Sequence, residues 1–248
     1  MTTPRVEAVA LTRIWPMPGG EPVRAVDEVS FTVEEGTVYG LLGPNGAGKS
    51  TTMRMLATLT KPTSGTARVS GHDVMREPGA VRASLGYLSA TSGLPSRVTC
   101  REVLELFAGL HRVDDARAAV DRAIERFGIS DFAGRRIETL STGMRQRVRI
   151  AAAAIHEPPV LILDEPTAGL DLVASDRLLE SILKARDRGT AVIFSTHVLR
   201  EAVKICDRIG VIDEGQLRAE GTVEELTAQA GVDDFESAFL ALVAKAES

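Results

Sequence analysis

The sequence predicts an α/β fold: a largely parallel sheet with an antiparallel β subdomain near its start and an all-helical insert in its middle. Short apolar runs alternate with helical patterns over most of the 248 residues, the order expected of parallel strands joined by helices. Two of the runs, VLILD from Val160 and AVIFS from Ala191, are apolar throughout, which suits strands buried on both faces. Between about Ser92 and Pro158 the strand signal stops, and CREVLELFAGLH and DARAAVDRAIERFG show helical periodicity alone.

Taken in order, VEAVALT from Val6 is the first strand candidate. VSFTVEEGTVYGLL from Val29 and IGVIDEGQLRAEG from Ile209 each read as a hairpin turning at Glu-Gly. TARVSG, LGYLS, VLILDE, TAVIFST and RIGVIDEG supply the remaining strands. From Thr222 two helical patterns follow, and Phe235, Phe239, Leu242 and Val243 share one face, expected to pack on the chain's own core. The expected organisation is one domain. Residues 1–91 and 158–221 form the α/β core with its β subdomain, 92–157 the insert and 222–248 a helical tail.

A content of 44% apolar and 25% charged residues is that of a soluble globular chain. A formal net charge of −5 argues against bulk affinity for nucleic acid. Cys100 and Cys206 lack the paired spacing of a metal site and read as free thiols in a reducing cytoplasm. The first residues lack the apolar run of a signal peptide. The most apolar stretch, IAAAAIHEPPVLILDEP, is too interrupted to span a bilayer, which takes about 20 apolar residues.

Chemistry enters at GPNGAGKST from Gly43, which matches G-x-x-x-x-G-K-[ST] between a strand and a helix. Gly43, Gly46 and Gly48 let the loop bend so that N–H groups of Asn45, Ala47 and their neighbours face one anion. Lys49 is expected to reach the β- and γ-phosphates of a nucleoside triphosphate, Ser50 to ligate Mg²⁺, and Thr51 to extend the helix start. The fold class sharpens to a P-loop NTPase core of the RecA-like type. In PPVLILDEP, Asp164 and Glu165 end a buried strand where open α/β sheets place ligands. Asp164 is expected to hold Mg²⁺ through its water shell; Glu165, pointing the other way along the strand, is expected to polarise the attacking water. His197 ends the next strand in STH, placed to contact the γ-phosphate and to keep Glu165 and water in line. A second helix start, TLSTGMRQRVRI from Thr139, also has the chemistry of an anion site, with Ser141, Thr142 and Gly143 ahead of a basic run.

With these motifs in this order, nearly the whole chain resembles the ATP-binding subunits of ABC transporters, and LSTGMRQR resembles their signature motif. The resemblance implies ATP and Mg²⁺ as cofactors and a head-to-tail dimer with a second copy or a related ATPase chain. Each ATP would lie between Lys49 of one chain and Ser141, Thr142 and Gly143 of the other, with Asp171 at the interface. It further implies an integral membrane permease as partner and a place on the cytoplasmic face of the membrane, with no nucleic-acid partner. The closer resemblance is to the export branch with separate permease subunits, the sodium-extrusion type in particular. The alternative is a soluble ABC ATPase of the iron–sulfur assembly type.

Relatives also stack adenine on an aromatic after the first strand, which points to Trp15, the only Trp in the chain. The segment from Leu94 to Arg101 corresponds to the face that receives a permease helix, with Leu94, Pro95 and Val98 as contacts or simply as a packed loop. Three positions depart from the family pattern. Ala90 stands where most relatives have Gln, leaving Ser89, Thr91 or Ser92 as substitutes; Met144 stands for Gln and Ala152 for Arg.

Overall fold

The computed structural model describes residues 4–90 and 93–244; Thr91 and Ser92, named above, lie outside them. Two sheets form. The smaller is antiparallel, with β1 (Val6–Trp15) between β2 (Val23–Val33) and β4 (Ser64–Val69), and the short β5 (His72–Asp73) beyond β4. The larger runs β10 (Gln216–Gly221), β9 (Arg208–Asp213), β3 (Val38–Leu42), β8 (Ala191–Thr196), β7 (Val160–Asp164), β6 (Leu85–Leu88). All its neighbours are parallel except β9 and β10. The residues of β3, β7 and β8 are all buried, as apolar runs covered on both faces require.

The hairpin expected over Val29–Leu42 does not form. β2 pairs with β1, Val33 opposite Val6, while β3 lies between β8 and β9 in the other sheet. The burial patterns give the reason. β2 alternates between buried and exposed residues, as a strand with one wet face must, whereas β3 has no exposed residue and belongs at a sheet centre. Glu35-Gly36 is therefore a crossover: Gly36, at φ +65°, donates its N–H to the carbonyl of Gly189 (3.2 Å), far from β2. The second Glu-Gly hairpin does form. β9 and β10 pair around Glu214 and Gly215, both at positive φ, the backbone that tight two-residue turns need.

α1 (Lys49–Leu56) follows β3, and α2 (Pro78–Ala83), which the sequence reading missed, begins on a proline suited to a first helical turn. The insert holds α3 (Cys100–Leu110), α4 (Ala116–Arg126) and α5 (Thr142–Ala153). Side chains fix their starts: Thr99 and Glu102 form a reciprocal capping box on α3, Asp115 caps α4 and Ser141 caps α5. The insert has no core of its own. Val103, Leu104, Val120 and Val148 share one apolar cluster with Leu161, Leu163, Val192 and Phe194 of the sheet. α6 (Leu172–Arg186) and α7 (Leu199–Ile205) complete the core. In the tail, α8 (Val223–Ala230) and α9 (Phe235–Ala244) bury Leu226, Phe235, Ala238 and Leu242 against Ile209 and Val211, with Phe239 and Val243 half-buried alongside. Among the described residues no helix is long and apolar enough to cross a membrane.

Candidate nucleotide site

β3, β8 and β7 are adjacent and parallel, so the loops after them open at one edge of the sheet. β3 delivers residues 43–50 there. The loop is pressed hard against its surroundings: a Cβ on Gly43 would lie 2.0 Å from the carbonyl oxygen of Ile212. Gly48 sits at φ +102°, and a Cβ there would lie 2.5 Å from the carbonyl of Ala25. No other residue type fits these two positions without moving backbone. Lys49 is only 4% exposed; its Nζ donates to the carbonyls of Gly43 (2.7 Å) and Pro44 (2.8 Å) and lies 3.9 Å from Glu165 Oε1. Burial pushes its ammonium below the usual lysine range, opposed by the charges of Glu165 and Asp164. The cleft, about 230 Å³, is lined by Asn45 to Thr51 with Ala25, Ala90 and Glu165.

Asp164, 1% exposed, accepts through Oδ1 from Ser50 Oγ and from Ser195 Oγ, both at 2.9 Å. Its Oδ2 is buried and has no hydrogen-bond partner. A buried carboxylate oxygen left open beside a serine hydroxyl fits a hard cation that takes its other ligands from phosphate and water. Among the described residues no group of three or more His, Cys, Asp or Glu could hold a metal unaided. Glu165 adopts φ +46° and donates its N–H to Ser195 Oγ (2.9 Å). That left-handed turn ends the strand, and Glu165 lines the P-loop cleft. His197 Nδ1 stands 3.4 Å from Glu165 Oε1 with half its side chain exposed.

Sequence reasoning missed the supports of this acid pair. Ser195 bridges Asp164 and the Glu165 backbone. Buried Glu201 accepts from both Thr196 Oγ1 and Thr167 Oγ1 at 2.8 Å, tying α7 and the end of β8 to the loop after β7. No local pattern marks Glu201 as this link, because Thr167 lies 34 residues away in sequence.

Ser141, Thr142, Gly143 and Asp171 lie elsewhere. They line a separate hollow of about 690 Å³ between the starts of α5 and α6 and share no lining residue with the P-loop cleft. Ser141 Oγ accepts from the N–H of Met144 (3.3 Å), and Asp171 Oδ1 from that of Ala174 (2.8 Å). A Cβ on Gly143 would come within 3.2 Å of Ala174, so the two helix starts approach closely there. Trp15 is not brought into the cleft lining. It ends β1, 39% exposed, with the Arg13 guanidinium 3.8 Å from its ring centroid. Leu94 and Val98 pack half-buried on the insert and Pro95 is exposed. Ala152 is buried in the core that the insert shares with the sheet, and Met144 packs half-buried against that core.

Residues 26–168 match the family model described as ABC transporter. The chain is 44% identical over 212 residues to a daunorubicin resistance ATP-binding protein of Streptomyces coeruleorubidus, covering 85% of this chain and 67% of that one. It is 45% identical over 210 residues to the daunorubicin/doxorubicin resistance ATP-binding protein of Streptomyces peucetius, covering 84% and 64%. It is 37% identical over 221 residues to the ABC transporter ATP-binding protein NatA of Bacillus subtilis, covering 88% and 90%. The chain thus spans about two thirds of the daunorubicin relatives' length. Among solved structures, an ATP-binding subunit of an ABC transporter superposes with a TM-score of 0.83 at 28% identity, covering 96% and 98%. A dimeric ATP-binding cassette in a post-hydrolysis state with ADP and Pi gives 0.79 at 25% identity, covering 88% and 98%.

Proposed function

Because the chain belongs to the ABC transporter ATP-binding family, we propose that it is the ATP-hydrolysing subunit of an exporter and works as a head-to-tail dimer. The observation that carries this is that the P-loop and the Ser141 helix start, the two candidate phosphate-binding groups, line two separate hollows of one chain. Neither is a complete site alone; a two-fold axis that sets the P-loop of one copy against the Ser141 helix of the other completes two at once.

In that dimer Lys49 turns from the Gly43 and Pro44 carbonyls to the β- and γ-phosphates. Ser50 and Asp164 would hold Mg²⁺, which when bound neutralises charge on the β- and γ-oxygens. Glu165 polarises the water, whose oxygen bonds to the γ-phosphorus as the bond to the β–γ bridging oxygen breaks, leaving ADP and inorganic phosphate. His197, beside Glu165 Oε1, keeps that carboxylate in line. Ser141, Thr142 and Gly143 of the partner copy bind the γ-phosphate, with Asp171 beside them. Losing the bridging charge lets the halves part, which is the stroke a membrane permease would use. The relatives are named for ABC transport and for daunorubicin resistance, which supports export, a permease partner and a place at the cytoplasmic membrane face. Nothing supports the iron–sulfur assembly alternative. Cargo selection belongs to the permease.

The test is phosphate release, followed by capture on Glu165→Gln. The wild-type chain with ATP and Mg²⁺ releases phosphate, and Glu165→Gln slows this by about 10²–10⁴-fold while still binding ATP. Glu165→Gln held with ATP and drawn from detergent-solubilised membranes brings a multi-span protein with it. Turnover unaffected by Glu165→Gln, or a soluble partner alone, contradicts the proposal.

A further inference from the structure

A polar link crosses from the helical insert to the phosphate cleft. Arg149 lies two turns into α5. Its Nη2 donates to the carbonyl of Ser89 at 2.5 Å and reaches that of Ala90 at 3.5 Å; its Nη1 donates to Gln146 Oε1 at 2.7 Å. Gln146, one turn earlier and 7% exposed, donates from Nε2 to the carbonyl of Pro166 at 2.5 Å. Pro166 directly follows Glu165.

One guanidinium and one amide therefore join three segments. They are the loop that brings Ala90 to the P-loop cleft, the helix that Ser141 caps, and the loop that carries Glu165. Bonds from a charged donor are roughly twice as strong as neutral ones, and a planar fork holds two acceptors at a fixed angle. Ala90 brings no side-chain polar atom to the cleft, and its loop is gripped through carbonyls instead. Ala152, one turn further along the same helix, is a methyl in the core and offers no second grip.

We propose that Arg149 is a positioning residue: through the Ser89 and Ala90 carbonyls and through Gln146 it transmits movement of the Ser141 helix to the Ala90 loop and to Glu165, so that hydrolysis waits for dimer closure. This rests on the shared-ATP dimer proposed above. A merely structural staple would lower stability and touch binding and turnover together; a transmitting residue separates them.

The experiment measures Arg149→Ala and Arg149→Lys for affinity toward a fluorescent ATP analogue, for kcat and KM, and, in the Glu165→Gln background, for the ATP concentration that gives half-maximal dimer. The expected result for Arg149→Ala is affinity and KM within about threefold, kcat lower by about tenfold, and about tenfold more ATP needed for dimerisation. Arg149→Lys, which keeps the charge and loses the fork, recovers less than half of either loss; it carries the same test if Arg149→Ala does not fold. The proposal is overturned if kcat and dimerisation stay within about twofold of the parent. It is also overturned if they fall in step with ATP affinity and Arg149→Lys restores them fully. If Glu165→Gln with Arg149 intact does not dimerise on ATP, the dimer reading itself fails and takes this one with it.

Discussion

Gly48 shows how little latitude the phosphate loop has. Gly48→Ala forces a Cβ against the Ala25 carbonyl in a left-handed backbone. It should destabilise the fold by about 1–3 kcal/mol and abolish nucleotide binding; calorimetry and ATP titration check both. Trp15 gives a second test at this scale. If adenine stacks there, ATP displaces Arg13 from the ring, Trp emission shifts, and Trp15→Ala costs about 1–3 kcal/mol of binding; unchanged emission and affinity contradict it. The candidate phosphate loop is legible in the sequence because a tight glycine loop, a helix start and a cationic end must follow one another along the chain. Ser195, Glu201 and Gln146 are not, because each bonds a residue at least 20 positions away that meets it only in the fold. Arg149 grips a carbonyl 60 residues away.

Among the elements, the β strands show what local pattern can and cannot decide. Burial on both faces identified VLILD and AVIFS, and Glu214-Gly215 does turn a hairpin. Glu35-Gly36 carries the same dipeptide and instead sends the chain to another sheet, because the strand after it has no wet face. The turn residues permit a reversal; the partners' burial decides whether it pairs. A contact between elements gives a pH test. His111 at the end of α3 stacks on His156, just before β7, with centroids 3.7 Å apart. Burial and the facing His111 hold the His156 pKa down at about 4, and burial lowers that of His111 too. The unfolded chain has ordinary histidine pKa values near 6.5 and so binds more protons than the native state below that value. Stability is therefore full above about pH 6.5 and is lost as pH falls toward about 4. Denaturant melts should show this slope, and His156→Gln should flatten it. In the tail, Phe235→Ala should cost about 3 kcal/mol and leave ATP affinity unchanged, since Phe235 belongs to the apolar cluster of the tail with Ile209 and Val211 and does not line the cleft.

At the scale of the whole molecule, the central feature is that the P-loop and the Ser141 helix start lie in two separate hollows, which the proposed head-to-tail dimer would join into shared sites. The insert shares its core with the sheet, so a shift of its signature helix moves a packed body and not a loose flap. The most direct measurement is the solution mass, with and without ATP, of Glu165→Gln and of Glu165→Gln combined with Ser141→Arg, with bound nucleotide counted in each. The account predicts that ATP converts Glu165→Gln to a dimer, while the double variant stays monomeric and still binds ATP through its intact P-loop. A double variant that dimerises as readily, or one that loses ATP as a monomer, would contradict a site shared between two chains.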